Sequence, residues 1–447
     1  MMHDILDWLE MNRQKSNLKV KPLLLPESHE WLLDTTGNVI HRTGGFFSLV
    51  GVKSTSSDGT LHQPLIHQPE IGILGFLIRP TTTSFEILCQ AKTEPGNIQV
   101  TQIAPTFQAT ESNYTCVHGG QRQPFSDYFL AQNPVFVTNQ LQSEQGFRFW
   151  KKRNRNCVIA LAADENPEVP MSHRWISIEW ILENSHRDYL FNTDFRSVLV
   201  QLFFGHLIPA GTLLSWVMGW TQVFDPTMLN VRDVETWISQ RKARAGYVHT
   251  RVPLANLPDW QMNPSGIHAD DRTFGVRYFD ITCDCREVSH WDQPLMTSHV
   301  EDRNVLVVAE KEQTLFFLLQ FRIEPGAYDG GELSCTYHSQ DRREEQFYPR
   351  QLAIDELPSH TVLTFRTSEE GGRFFQNKTQ NELWQVDELF DSENENYRWV
   401  CLEELCILVQ QSNKLTNELR TILSILPGCP IMIRAIEDSL SQTESKR

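Results

Sequence analysis

The sequence predicts an α+β protein built from two tandem modules related by internal duplication. Three observations carry that expectation. Short blocks recur at a fixed offset, the recurring blocks lie in apolar strand-like stretches, and an amphipathic helix closes each copy. Gln63-Pro64-Leu65 returns as Gln293-Pro294-Leu295, and Gln90 with Glu94-Pro95-Gly96 returns as Gln320 with Glu324-Pro325-Gly326, both 230 residues later. Trp31 and Gly37 are six apart, as are Trp260 and Gly266. Arg174-Trp175 followed by Glu179 matches Arg398-Trp399 followed by Glu403, and Asp194-Phe195-Arg196 matches Glu418-Leu419-Arg420, at an offset of 224. The expected division is a first module over 1–207, a linker over 208–230, a second module over 231–438 and a polar tail over 439–447.

Each copy is expected to open with a short amphipathic helix, around Trp8 and again around Trp237. Strands follow at 71–78 and 85–89, and at 305–309 and 315–319, each pair separated by polar turn residues and so read as a hairpin. Glu-Pro-Gly then turns the chain, with Pro fixing one φ and Gly supplying a permissive one. Phe195, Val198, Leu199, Leu202 and Phe203 form an apolar helical stripe, repeated by Leu419, Ile422, Leu423 and Leu426. Thr193 and Asp194, and Thr416 and Glu418, suit the N-terminal ends of these helices.

Composition narrows the function. With 447 residues, 40% of them hydrophobic, the chain has material for a sizeable core. Forty Lys and Arg against 56 Asp and Glu give a net charge of -16, which disfavours nucleic acid as a partner but leaves room for a small anionic substrate. The N-terminus carries acids and no apolar signal core, and the apolar stretch over 207–224 is broken by Pro209, Gly211, Gly219 and Gln222, so neither secretion nor a membrane span is expected. The nine cysteines form no CxxC pair; Cys283 with Cys285, and Cys401 with Cys406, read as buried, reduced thiols of a cytoplasmic protein rather than metal ligands.

The stretch over 90–120, QAKTEPGNIQVTQIAPTFQATESNYTCVHGG, is the most informative. Gln90, Lys92 and Glu94 share one strand face, and Gln102, Thr106, Gln108 and Thr110 share another, while Ile103, Pro105, Phe107 and Ala109 point the opposite way. Amides and hydroxyls in a row suit a pocket that holds sugar hydroxyls, a carbonyl and a pyrimidine edge, although a solvated strand face places polar residues in the same way. Ser112, Asn113, Tyr114 and His118 follow.

This stretch closely resembles the signature of the NDP-hexose 2,3-dehydratases of deoxysugar biosynthesis. The length and duplication match as well, so the resemblance covers nearly the whole chain. It implies two Nudix-like modules in a homodimer, acting on a dTDP-4-keto-6-deoxyhexose. The implied product is a 3,4-diketo-2,6-dideoxyhexose nucleotide that passes to an NADPH-dependent 3-ketoreductase. No Nudix metal box is present: Arg286-Glu287-Val288 and Arg343-Glu344-Glu345 match only fragments of it. That argues against metal-dependent pyrophosphate hydrolysis. A non-catalytic nucleotide-sugar-binding protein diverged from this family is the alternative.

The elimination sets its own requirements. The C4 ketone acidifies the C3 proton, a base removes it, a donor steadies the enolate at O4, and an acid helps the C2 hydroxyl leave. Net loss of water calls for neither metal nor redox cofactor. The catalytic candidates are Tyr114, His118 and Glu94, and the substrate-binding candidates are Gln90, Lys92, Gln102, Thr106, Gln108, Thr110, Ser112, Asn113 and Arg122. Each has a bland reading. Glu94 recurs as Glu324 and suits a turn, His118 precedes Gly119-Gly120 in a loop, Tyr114 suits a core, and Arg122 suits the surface. Lys92 becomes Arg322, and a retained charge fits a pyrophosphate contact better than a base. Trp31 and Trp260 are candidates to stack on thymine, with a core role as the plainer expectation. The second copy lacks counterparts of the Ser-Asn-Tyr and His-Gly-Gly segments, which puts a functional second pocket in doubt.

Overall fold

The computed structural model describes residues 2–82, 84–115, 122–162, 164–205 and 231–434. The expected linker and polar tail, and His118, lie outside the described residues. The described residues form a mixed α/β structure with four sheets.

Two sheets have seven strands each, in the same arrangement. In the first, the order is Thr138–Ser143, Arg153–Ala160, Gly72–Pro80, Phe85–Thr93, His173–Ser177. Thr101–Ala104 adds to Phe85–Thr93, and Phe107–Ala109 adds to Gly72–Pro80. The second runs His360–Ser368, Lys378–Val386, Asp302–Lys311, Thr314–Arg322, Tyr397–Cys401, with Glu332–Ser334 and Tyr337–His338 added at the matching places. Each contains one parallel pair, Arg153–Ala160 with Gly72–Pro80 and Lys378–Val386 with Asp302–Lys311; in each pair the second strand carries a continuous buried apolar run, 73–74 with 76–78 and 305–309. Thr106 and Thr336 even make the same bonds: each hydroxyl accepts from one strand (Leu77 N, Val307 N) and donates to the next (Leu88 O, Leu318 O).

The predicted helices form. Met2–Ser16 and Arg232–Arg244 open the two halves that the sequence marks as copies. Thr193–Phe204 is capped by the Asn192 side chain and Asn417–Leu423 by Thr416. The last two pack on each other, and their buried arginines cross: Arg196 Nη1 donates to Ser424 Oγ at 3.0 Å, and Arg420 Nε donates to Ser197 Oγ at 2.8 Å.

Sheet membership crosses the boundary between the copies. Lys19–Leu23 pairs antiparallel with Phe274–Thr282 of the second copy, while Val248–Val252 pairs with Ser48–Ser56 of the first. The Glu-Pro-Gly turns are exchanged in the same sense. Gly96 N donates to Gly371 O and Gln376 N donates to Gly96 O, both at 2.8 Å; Gly326 N donates to Gly146 O and Lys151 N donates to Gly326 O, again at 2.8 Å. Backbone meets backbone so closely that a Cβ on Gly96 would stand 1.5 Å from Phe374 O, and one on Gly326 1.6 Å from Phe149 O.

Two aromatic residues proposed for stacking belong to the core. Trp31 donates to Asp292 O and Trp260 to His62 O, both at 2.8 Å, and both rings are buried.

Candidate functional site

The first module's sheet has an apolar face built from Leu88, Phe107, Phe129 and Cys157, with Tyr114 and Phe125 packed against it. Strand alternation puts Gln90 and Lys92 on the same face as Leu88. There the apolar lining gives way to charge. Lys92 is 6% exposed, and its Nζ donates to Gln108 O at 3.3 Å. Glu94 lies just beyond the strand, buried, accepting from Gln108 Nε2 at 3.4 Å through one oxygen while its other oxygen has no protein partner. Gln108 Oε1 accepts from Asn192 Nδ2 at 2.9 Å, and Asn192 caps the helix whose second residue is Asp194. His173, opposite Gln90 in register, donates from Nε2 to Thr106 O at 3.0 Å and meets Phe125 edge-on.

A loop from the other copy closes over this face. Between Phe274–Thr282 and His290–Ser298 the hairpin carries seven residues, 283–289, where its counterpart in the first copy has only Ser57 and Asp58. This longer loop reaches the first module's site. Arg286 Nη1 donates to Thr93 O at 3.2 Å, and Glu287 Oε1 accepts from Gln123 Nε2 at 2.5 Å. In the other half, the short Ser57-Asp58 turn leaves a cavity of about 230 Å³ lined by His62, Arg272, Arg343 and Phe347. Its arginines are already paired, Arg272 with Asp341 and Glu344, and Arg343 with Asp271.

Electrostatics separate the roles. Burial, then Arg286, lowers the Lys92 ammonium below its usual value, while Glu94, Glu287 and Asp194 oppose the shift. Asp194 is held well above the ordinary carboxylate range, first by burial and then by Glu370, Glu144 and Glu94, which favours its protonated form. Glu287 goes the other way: burial raises it, but Arg286 and Lys92 outweigh burial and hold it at about 2. Burial lowers His173 to about 4, leaving the ring neutral at pH 7. Glu370, from the second copy, is also raised by burial, with Arg373 opposing.

The sequence-predicted residues divide on this map. Gln90, Lys92, Glu94 and Gln108 come together. Gln102 is fully buried but its amide donates to Tyr189 O at 2.8 Å and to Ser368 Oγ at 2.9 Å, tying the two copies together. Thr106 has its hydroxyl committed to backbone on both sides. The single polar face expected over 102–110 therefore does not exist: the strand breaks at Pro105-Thr106, and the side chains on either side of the break go to different neighbours. Thr110 precedes the short helix Glu111–Tyr114, and its hydroxyl lies 3.2 Å from that of Ser112. Ser112 donates to Glu70 Oε2 at 3.0 Å. Asn113 is half-buried in that helix, and so is Tyr114, whose phenol is raised by burial and Glu111. Arg122 is exposed and paired with Asp127. A helix, Arg342–Phe347, stands at the matching place in the second copy although its sequence gives no match.

Sequence reasoning missed Asn192, Asp194, His173, Gln123, Arg286, Glu287 and Glu370. Asp194 had a signal, since it aligns with Glu418 as a retained acid in an otherwise apolar helix. Arg286-Glu287 appeared only as a fragment of a metal box, and its place on a long loop explains it better. Likewise Glu344 of Arg343-Glu344-Glu345 is committed to Arg272 at 3.1 Å. Among the described residues, no cluster of three or more His, Cys, Asp or Glu side chains is placed to hold a metal ion, and no helix is long and apolar enough to cross a membrane.

The described residues thus form a mixed α/β structure with a buried polar cluster, Lys92, Glu94, Gln108 and Asp194, reached by the 283–289 loop. The sequence model of the NDP-hexose 2,3-dehydratases matches residues 2–202 and 231–426, and the chain belongs to that family. It is 30% identical over 440 residues to the dTDP-4-dehydro-6-deoxy-alpha-D-glucopyranose 2,3-dehydratase of Saccharopolyspora spinosa, covering 94% of this chain and 90% of that one. It is 30% identical over 442 residues to the Amycolatopsis orientalis enzyme of the same name, covering 95% and 89%. The Streptomyces violaceoruber enzyme is 31% identical over 418 residues, covering 90% and 91%. A solved ADP compounds hydrolase aligns at 15% identity with a TM-score of 0.19, over 30% of this chain and 72% of that one, too low a likeness to assign the fold.

Proposed function

We propose that the protein removes water from a dTDP-4-keto-6-deoxyhexose, taking the C3 proton and the C2 hydroxyl to give the 3,4-diketo-2,6-dideoxyhexose nucleotide. The observation that carries this reading is the grouping of Lys92, Glu94 and Asp194, an acid weakened by its burial, at one end of a sheet whose remaining face is apolar. Lys92 and Arg286 stand against Glu94 and Glu287, so the site has little net charge left for a pyrophosphate. An ammonium in that setting suits a charge that appears during the reaction, the enolate at O4. Glu94 takes the C3 proton through its unpartnered oxygen, and Asp194 supplies the proton that leaves with O2. An open carboxylate oxygen on Glu94 and the raised Asp194 carboxyl fit the base and acid of one elimination. Tyr114 then acts as a flanking donor to the sugar.

We read the two seven-stranded modules as diverged copies of one Nudix-like unit, on the strength of their common strand order. Further parts of the proposal are a homodimer, a cytoplasmic setting and a 3-ketoreductase that consumes the unstable product.

The test combines turnover with isotope exchange. With dTDP-4-keto-6-deoxyglucose in D2O, and a ketoreductase with NADPH to trap product, the wild-type protein consumes substrate. Glu94→Gln loses both turnover and C3 deuterium exchange, by roughly 10²–10⁴-fold. Asp194→Asn keeps exchange at C3 but loses elimination. If Glu94→Gln exchanges C3 at the wild-type rate, the assignment of the base is wrong.

A further inference from the structure

Cys283 and Cys285 stand at the root of the 283–289 loop, with their sulfurs 3.2 Å apart. A disulfide holds its sulfurs at about 2.05 Å, so closure takes about one ångström of movement. The two thiols differ in the way that exchange chemistry requires. Cys283 is buried, as the sequence leads one to expect, but Cys285 is exposed, because it lies on the loop beyond the strand end. Cys285 is lowered below the usual thiol range by the hydrogen bond from Cys283, with help from the Thr93 hydroxyl and the Arg286 guanidinium. The other described cysteines, Cys89, Cys157, Cys335, Cys401, Cys406 and Cys429, are all raised by burial.

We propose that Cys283 and Cys285 are an exchange-active dithiol that reacts with low-molecular-weight disulfides and, once oxidised, draws the 283–289 loop away from the substrate site. The Cys285 thiolate attacks one sulfur of the disulfide RSSR and expels RS⁻. Cys283, deprotonated, then attacks Cys285 Sγ in the mixed disulfide and expels the second thiolate. The protein dithiol gives up two electrons and two protons, and RSSR becomes two RSH.

The mechanical consequence follows from the loop's attachments. Its root is fixed: Asp284 N donates to Ser16 O at 2.8 Å, and Asn17 Nδ2 donates to Asp284 Oδ2 at 2.7 Å. Its far side carries Arg286 on Thr93 O and Glu287 on Gln123. Cys285 also leans on Thr93, the residue after Lys92. Pulling Cys285 toward Cys283 removes that support and re-aims Arg286 beside it. The effect on turnover rests on the site reading above; the disulfide itself does not.

The experiment treats the full-length protein with oxidised glutathione and reads peptide mass and turnover in parallel. The tryptic peptide 278–286, which holds both cysteines, is expected to lose two hydrogens without gaining glutathione. Turnover falls roughly tenfold and returns with reductant. Cys285→Ser keeps its turnover in reductant and no longer responds to the oxidant. A peptide that is unchanged, or that keeps glutathione on Cys285, overturns the dithiol. A disulfide that forms while turnover is unaffected overturns the effect on the loop. A protein with no turnover even when reduced sinks the site reading and the loop effect with it, and the peptide mass still decides the dithiol.

Discussion

Gln102 and Glu332 hold equivalent places, each opposite the basic residue of its module, Lys92 and Arg322. One is a neutral amide and the other an acid buried at 5% exposure, pushed up to about 7 by burial. Ser143 Oγ donates to one of its oxygens at 2.5 Å and the other has no partner. An acid raised in the folded state binds more protons there than in the unfolded chain. Its favourable contribution is full below the unfolded value of about 4.5 and is lost as pH rises through about 7. Glu332→Gln removes that dependence. The variant's stability relative to wild type should therefore improve by ~3 kcal/mol between pH 5 and pH 8, the worth of a shift of this size in a fully buried group. Urea unfolding of both proteins at the two pH values measures it, and a difference that stays flat would show that Glu332 is ionised throughout.

The Glu-Pro-Gly turns show what an element can be asked from sequence. Their type and their recurrence were legible, because Pro and Gly dictate a tight turn locally and the offset repeats. Their purpose was not, because the contact that requires Gly96 comes from Phe374, far away in the chain. Gly96→Ala should destabilise the protein by about 2–4 kcal/mol, since backbone on both sides has to move. Chemical denaturation reads this directly, and a variant as stable as wild type would mean that the turns do not dock. The hairpins, the closing helices and their caps were similarly legible, being set by period and capping residues a few positions apart. The exchanged strands 19–23 and 248–252 were not, because Lys-Val-Lys-Pro-Leu carries no mark of which copy it will join. For the site, Gln90, Lys92, Glu94 and Gln108 were legible as polar residues in a strand context. Arg286 and Glu287 were hidden because a loop that closes over a distant site follows no local pattern.

At the scale of the whole molecule, three kinds of exchange bind the copies: reciprocal strands, reciprocal turns and reciprocal Arg–Ser bonds between the closing helices. Each copy lacks a strand of its own sheet and an occupant of its own docking groove unless the other is present. The proposed site follows the same rule, with Lys92, Glu94 and Asp194 from one copy and Arg286, Glu287 and Glu370 from the other. A division into independent domains would let each half unfold alone; this exchange makes unfolding a joint event. A protease site placed within 208–230 tests the consequence. After cutting, the two fragments should migrate as one species on size exclusion and unfold in one transition at close to the uncut midpoint, with dehydration retained. Fragments that separate under native conditions, or two resolved transitions, would show that the exchanged strands add little to the cohesion of the molecule. Retained turnover in the cut complex has a second meaning. It would establish that the site needs the two copies assembled and does not need the covalent connection between them.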